Sequence, residues 1–196
     1  MTTLTSTEQI NTFIRQAEQR IYNAVEILAT REDLSAVLSA GNPYLAVPPD
    51  WLATISFAVI DANGRYEYLI DKDANFIRSA YPDPSYQAFP VHYASFNEQE
   101  FLLGPTPDAN YGYELRYFRY PESIVTAGNS WLGDNFSTVL LYGALLEAYT
   151  FMKGEADIIE LYQQRYYEAL AQLKELAEGK NRKDAYRSGQ PRFTMR

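Results

Sequence analysis

Hydrophobic positions along the chain fall into three successive regimes. In the first, Ile10, Phe13, Ile14, Ala17, Ile21, Val25 and Leu28 recur every three or four residues, the period of a helix with one apolar stripe. Ser6 with Gln9, or Thr5 with Glu8, supplies a capping box ahead of that stripe. A shorter helix is expected over REDLSAVLSAG, stopping at Gly41, so that helices are placed over residues 6–40. NPYLAVPPDW then turns and extends the chain.

The second regime, residues 44–121, alternates instead of following a helical period. ATISFAVI and RYEYLI flank DANG, whose Asn63-Gly64 pair signals a tight β-hairpin turn. DKDANFIRSA reads as a brief helical turn. PVHYASF, QEFLLG and YGYELRYFRY read as three further strands, with TPDAN turning the chain between the last two. Tyr and Phe crowd this stretch, as cross-strand packing favours.

The third regime begins with SWLGDNFSTVLLYGALLEAYTFM, residues 130–152, a helical segment that is apolar most of the way round. Asp134 or Asn135 is its expected cap and Lys153-Gly154 its expected end. A helix apolar on every side must be buried on every side. The first and last helices can cover only part of it, so either the sheet or a second copy of the chain is expected to cover the rest; Phe136, Leu140, Gly143, Ala144 and Tyr149 are the candidate subunit-packing residues, with Gly143-Ala144 as a shallow groove where another helix approaches closely. The following segment, GEADIIELYQQRYYEALAQLKELAEGK, is the longest helix. Ile158, Ile159, Tyr162, Tyr166, Leu170, Leu173 and Ala177 share one face of it, and Gln163, Gln164, Glu168, Lys174 and Glu178 the opposite one. The expected fold is α+β: a helical bundle, made by a long N-terminal helix and two C-terminal helices within residues 134–178, carrying an inserted antiparallel sheet and hairpin region. Residues 1–178 are expected to form one domain and 179–196 a basic tail.

Charge sharpens that division. Lys180, Arg182, Lys183, Arg187, Arg192 and Arg196 face only Asp184 in the tail, a net of +5, which leaves −13 on the rest of a chain whose total is −8. An acidic body and a basic tail suit different partners. The absence of cysteine excludes disulfides, thiolate metal sites and cysteine nucleophiles, and a single histidine leaves zinc and triad chemistry short of ligands and bases. The amino terminus does not read as a secretion signal, and no stretch reaches the roughly 20 apolar residues of a bilayer span. An intracellular product with no membrane association is expected.

Catalytic motifs are missing. GxxxxGK[ST], GxSxG and HExxH do not occur. DKDAN at residues 71–75 resembles the start of a calcium loop but lacks its glycine and closing glutamate, so it reads as a helix cap. His92 reads as a packed or edge residue among aromatics. Glu98 and Glu100, one residue apart, would share a strand face and are the one carboxylate pair offered for acid and base work. No enzyme activity, metal or cofactor is expected.

A resemblance adds to this reading. Ile10 to Tyr22 (INTFIRQAEQRIY), Val47 to Leu52 (VPPDWL), Leu103 to Phe118 (LGPTPDANYGYELRYF) and Ser130 to Lys153, followed by a long last helix, together resemble the head-to-tail adaptor proteins of tailed bacteriophages. The resemblance reaches to about Leu176. It implies a structural virion protein, assembled in the host cytoplasm as a ring of usually twelve copies beneath the portal. Such a ring joins the portal to a tail or nozzle protein and surrounds a channel through which genomic DNA passes without sequence-specific binding. It also implies that the carboxy-terminal segment reaches the portal, which assigns docking to Lys180, Arg182, Lys183, Arg187, Arg192, Phe193 and Arg196. The alternatives are another tail component, or a glycan binder using exposed tyrosines such as Tyr111 and Tyr113.

Overall fold

A computed structural model describes residues 6–181, with side chains described as far as Glu178. The chain divides into two compact units: one takes the chain up to Thr30 and again from Tyr120 onward, the other is Arg31–Arg119. Among the described residues, six helices and two mainly antiparallel sheets make the fold α+β.

The first unit is helical. Helix α1 (Thr7–Ala24) starts where Ser6 accepts the Gln9 N–H at 3.3 Å and buries Phe13, Ala17, Ile21 and Tyr22 as one stripe. It stops at Ala24, so the apolar period runs out: Val25 is still buried but Leu28 is exposed.

The expected helix over residues 31–41 is instead a strand. REDLSAVL forms β1 (Arg31–Leu38), paired residue for residue with the last strand of the second unit, and Gly41 (φ +75°) turns the chain after it. The strand-rich stretch therefore begins at Arg31, not at residue 44. Leu34 and Leu38 lie four positions apart, in phase on the core side, where they pack against Leu115 and its neighbours. That burial outweighs a weak local helix preference.

Seven further strands follow: β2 (Tyr44–Ala46), β3 (Trp51–Ile60), β4 (Tyr66–Tyr68), β5 (Ile70–Asp71), β6 (His92–Ser95), β7 (Glu100–Gly104) and β8 (Tyr111–Arg119). One sheet has the order β1-β8-β3-β4, the other β2-β7-β6-β5, with β5 and β6 as the one parallel pair. Asn63-Gly64 does turn β3 into β4. Gly64 takes φ +79°, and Asp61 Oδ1 accepts the N–H groups of Asn63 and Arg65, each at 2.8 Å. Those backbone donors hold the Asp61 carboxyl below the usual carboxylate range. The core of this unit is Phe57, Val59, Tyr93, Phe101, Leu103 and Leu115, with Phe57 touching the rings of Tyr93, Phe101 and Tyr113. DKDAN caps a helix as expected: Asp73 Oδ1 accepts the Asn75 N–H at 2.7 Å at the start of α2 (Ala74–Ala80).

The chain re-enters the helical unit through α3 (Ile124–Ala127) and α4 (Trp131–Asn135). The segment 130–152, read as one helix, is broken at Phe136 (φ −140°, ψ 48°), where α4 ends and α5 (Ser137–Phe151) begins. The expected caps are also displaced. Ser130 caps α4 by accepting the Gly133 N–H at 3.1 Å, Asn135 donates its side-chain amide back to Trp131, and α5 has no side-chain cap. Lys153-Gly154 does end α5, Lys153 at φ +52°, with the Gly154 N–H closing on the Tyr149 carbonyl at 2.9 Å. Helix α6 (Ala156–Asn181) follows and buries Tyr166, Ala169, Leu170, Leu173 and Ala177. Gln163, Gln164, Glu168, Lys174 and Glu178 lie exposed on its other side.

Candidate interaction surface

Helix α5 sits between its neighbours: α1 packs on it and so does α6. Gly143 is where the three come closest. A Cβ there would lie 3.1 Å from the Ala17 Cβ and 3.4 Å from the Tyr166 ring, so glycine is what lets both helices approach. Val139 and Leu140 complete this inward side.

The outward side explains why α5 is apolar all round. Ser137, Leu140, Leu141, Ala144, Leu145 and Ala148 fall at intervals of three and four residues and form one wall of a groove of about 440 Å³. Ile10, Phe13 and Ile14 of α1 form the facing wall, and Ile124 and Gly133 the end. Leu141 is 56% exposed and Ile10 45%, so this face is apolar and open. Beyond it Phe151, 57% exposed, meets Phe13 with ring centroids 5.4 Å apart.

The end wall is held by a buried acid. Glu18 is 3% exposed, and its Oε1 accepts the Ile124 N–H at 2.9 Å while Ser123 caps the same short helix through the Val125 N–H. One turn on, the Tyr22 hydroxyl is buried without a hydrogen-bond partner. Burial pushes its pKa up to about 12, and the neighbouring Glu18 carboxylate adds to the shift. A phenol whose folded pKa lies above its unfolded value near 10 contributes stability that is intact below pH 10 and is lost as pH rises toward 12. Burial raises Tyr166 in the same direction. Tyr22→Phe is expected to flatten the fall in melting temperature between pH 10 and 12, measured by circular dichroism. At pH 7 it should leave stability unchanged or raise it by about 1 kcal/mol, since no hydrogen bond is lost.

Of the residues read from the sequence as packing between subunits, Leu140 and Gly143 are buried by the chain's own helices, while Phe136, Ala144 and Tyr149 are half-buried. Leu140 and Ala144 also line the groove. Leu141 and Leu145 were not singled out, and Ile10 was read only as part of the α1 stripe. Their signal was present in the i, i+3, i+4 spacing of α5, but an all-apolar helix gives no indication of which face its own chain leaves bare. Arg182, Lys183, Arg187, Arg192, Phe193 and Arg196 lie outside the described residues, as does the Lys180 side chain.

The residues weighed for chemistry are dispersed. His92 packs in β6 against Phe76, with Nδ1 3.0 Å from the Tyr81 hydroxyl. Glu98 lies in the bend between β6 and β7 and only Glu100 is in a strand, so the two do not share a strand face. Among the described residues no group of three or more His, Asp or Glu converges as a metal site, and no helix is long and apolar enough to cross a membrane. Tyr113 is 4% exposed, in the core, and Tyr111 donates its hydroxyl to Asp108 at 2.8 Å, which removes Tyr113 as a glycan platform.

The sequence matches the profile of the SU10 adaptor protein family over residues 2–192. The chain belongs to that family. No curated protein matches it. Membership in the SU10 adaptor family agrees with the resemblance to phage head-to-tail adaptors, and it makes the chain a phage structural protein, a virion component that works through contacts with portal and tail parts. For a member of this family, an open apolar helical groove fits a role in assembly.

Proposed function

We propose that this adaptor-family chain forms a ring, of twelve copies in the reading the resemblance suggests, between the portal and a tail or nozzle protein, and that the ring encloses the channel used in DNA ejection. The observation that carries this reading is the open apolar face of α1 and α5: a ring subunit presents two different faces to its neighbours, and an apolar groove on one of them suits a head-to-tail contact. Of the packing residues read from the sequence, Leu140 and Ala144 line the groove and are kept as proposed subunit contacts together with Phe136 and Tyr149, with Leu141 and Ile10 added, whereas Gly143 is taken up by Ala17 and Tyr166 of its own chain. The acidic body, at −13, supports the channel role, because a negative wall leaves the DNA counterions in place and lets the duplex slide, whereas a basic wall would hold it. The basic residues Lys180, Arg182, Lys183, Arg187, Arg192 and Arg196, with Phe193, are proposed to dock on the portal.

The test is assembly in vitro. Native mass spectrometry of the chain mixed with its portal is expected to give one closed oligomer per portal, while the chain alone stays monomeric. Leu141→Asp should prevent ring closure and leave the circular dichroism melt unchanged, because the side chain is already exposed. A ring that closes normally with Leu141→Asp would overturn the role of the groove.

A further inference from the structure

The sheet β1-β8-β3-β4 ends in two strands that pair on one side only. Its hydrogen bonds fix which backbone groups each of them leaves bare. Leu69 donates its N–H to the Phe57 carbonyl at 2.8 Å and Asp61 donates to Arg65 at 2.9 Å, so the odd-numbered residues of β3 bond across to β4. The alternation carries through the registers: Ala58 and Ile60 bond to Glu114 and Gly112, and Leu115 and Tyr113 to Leu34 and Ala36. The N–H and C=O groups of Ser35 and Val37 therefore point off the far side of β1, and those of Tyr66 and Tyr68 off the far side of β4.

Strand β1 is eight residues long and runs without a bulge against β8. Its first half is guarded by charge: Glu32 and Asp33 are held by Arg119 and Arg116 of β8 at 2.8 and 2.6 Å. Ser35–Val37 carries none, and Val37 is 62% exposed. An uncharged, open stretch of a long edge strand is a template for another strand. Strand β4 matches that stretch in length, direction and phase. It is three residues long, and because four strands alternate in direction, a second copy's β1 laid beside β4 continues the alternation. The edge residues also agree in face: Val37, Gly112, Ile60 and Tyr66 form one row across the sheet and Ser35, Glu114, Ala58 and Tyr68 the next, both on the side away from Phe57 and Leu115. Opposed residues of a hydrogen-bonded pair must share a face, and these do.

We propose that two copies of this chain join edge to edge, Tyr66 and Tyr68 of one bonding through their backbone to Val37 and Ser35 of the other, so that the two sheets run on as one. The register sets an aromatic ring beside a β-branched side chain, a favoured cross-strand pair. Each copy uses a different edge for its two neighbours, so the contact is head-to-tail. Three residues a side supply too few bonds to offset the freedom lost on association, and the free chain stays monomeric. The pairing becomes lasting where copies are held side by side, which rests on the ring reading above; the encounter of two edges does not.

The absence of native cysteine permits a direct test on the full chain. Val37→Cys and Tyr66→Cys chains are made separately, mixed in equal amounts at high concentration and mildly oxidised, so that passing encounters are trapped. Opposed residues of a bonded pair stand about 5.5 Å apart between Cα atoms, within disulfide reach. Mass spectrometry separates the mixed dimer from the two like dimers. The expected result is a mixed dimer at least about 10-fold above the like dimers together, falling about 10-fold when Glu67→Cys, whose side chain takes the other face, replaces Tyr66→Cys. Ser35→Pro, which removes one outward N–H and is tolerated on an edge strand, should abolish the excess and leave the melting temperature unchanged. Should that variant melt early, the Glu67 comparison alone decides. Like dimers in excess would mean that each edge pairs with itself, and a statistical mixture or equal yields from Tyr66 and Glu67 would mean contact without register; each of these overturns the proposal. No portal is present and no ring closes, so such a failure leaves the ring reading to its own test.

Discussion

Gly143→Leu is expected to destabilise the helical unit and lower its melting temperature by several degrees. A Cβ at this position would stand 3.1 Å from the Ala17 Cβ and 3.4 Å from the Tyr166 ring, and both neighbours are buried, so neither can swing into solvent. Leucine adds three further carbons to that contact. Overpacking of this kind costs about 1–3 kcal/mol or more, while replacing a mid-helix glycine returns about 1 kcal/mol of helix propensity. The clash involves two helices at once, so the loss is expected at the upper end of that range, a measurable share of the 5–15 kcal/mol that holds a typical domain together. Gly143→Ala separates the two effects, because one methyl needs its neighbours to yield only a few tenths of an ångström and should change stability by less than about 1 kcal/mol. Thermal unfolding followed by circular dichroism reads both variants. A Gly143→Leu protein that melts like the parent would mean that α1 and α6 do not converge on this residue.

Truncation after Gly179 is expected to abolish portal docking and to leave the melting temperature of the body unchanged. The removed residues carry a net of +5 and Phe193, and the body that remains is at −13, so both the steering field and the apolar anchor are lost together. Binding of the truncated chain to immobilised portal should weaken at least about 100-fold, equivalent to about 3 kcal/mol. Before truncation the affinity should fall as salt is raised; afterwards that dependence should vanish. Undiminished docking of the truncated chain would remove the basic segment from the portal contact.

Comparison of particular elements shows which features were legible in the sequence. Helix α1 was readable because one stripe and one cap agree, and the β3–β4 turn because Gly64 takes the left-handed backbone that glycine favours while Asp61 accepts the N–H groups of Asn63 and Arg65. The strand β1 was misread. REDLSAVL contains good helix formers, and its period-two signal at Leu34 and Leu38 is blurred by Val37, which is apolar yet points away from the core. The break at Phe136 carries no Gly or Pro to mark it, and the cap falls on Ser130, which accepts the Gly133 N–H three residues on, in place of Asp134 or Asn135. That α5 needed company on every side was legible. Which side its own chain covers was not, because the deciding contact is a glycine meeting residues more than twenty positions away in either direction.

The helical unit draws on both ends of the chain, and this governs the order of events on the ribosome. Nascent α1 emerges first, yet the helix it packs against ends at Phe151, so at about 5–20 residues per second it waits on the order of ten seconds with an unsatisfied apolar stripe. The strands of Arg31–Arg119 are complete within that interval and are free to condense first. Premature translational arrest anywhere between Arg119 and Phe151 would therefore release a polypeptide with a finished sheet region and a sticky amino-terminal helix, a species suited to capture by chaperones and unable to enter a virion.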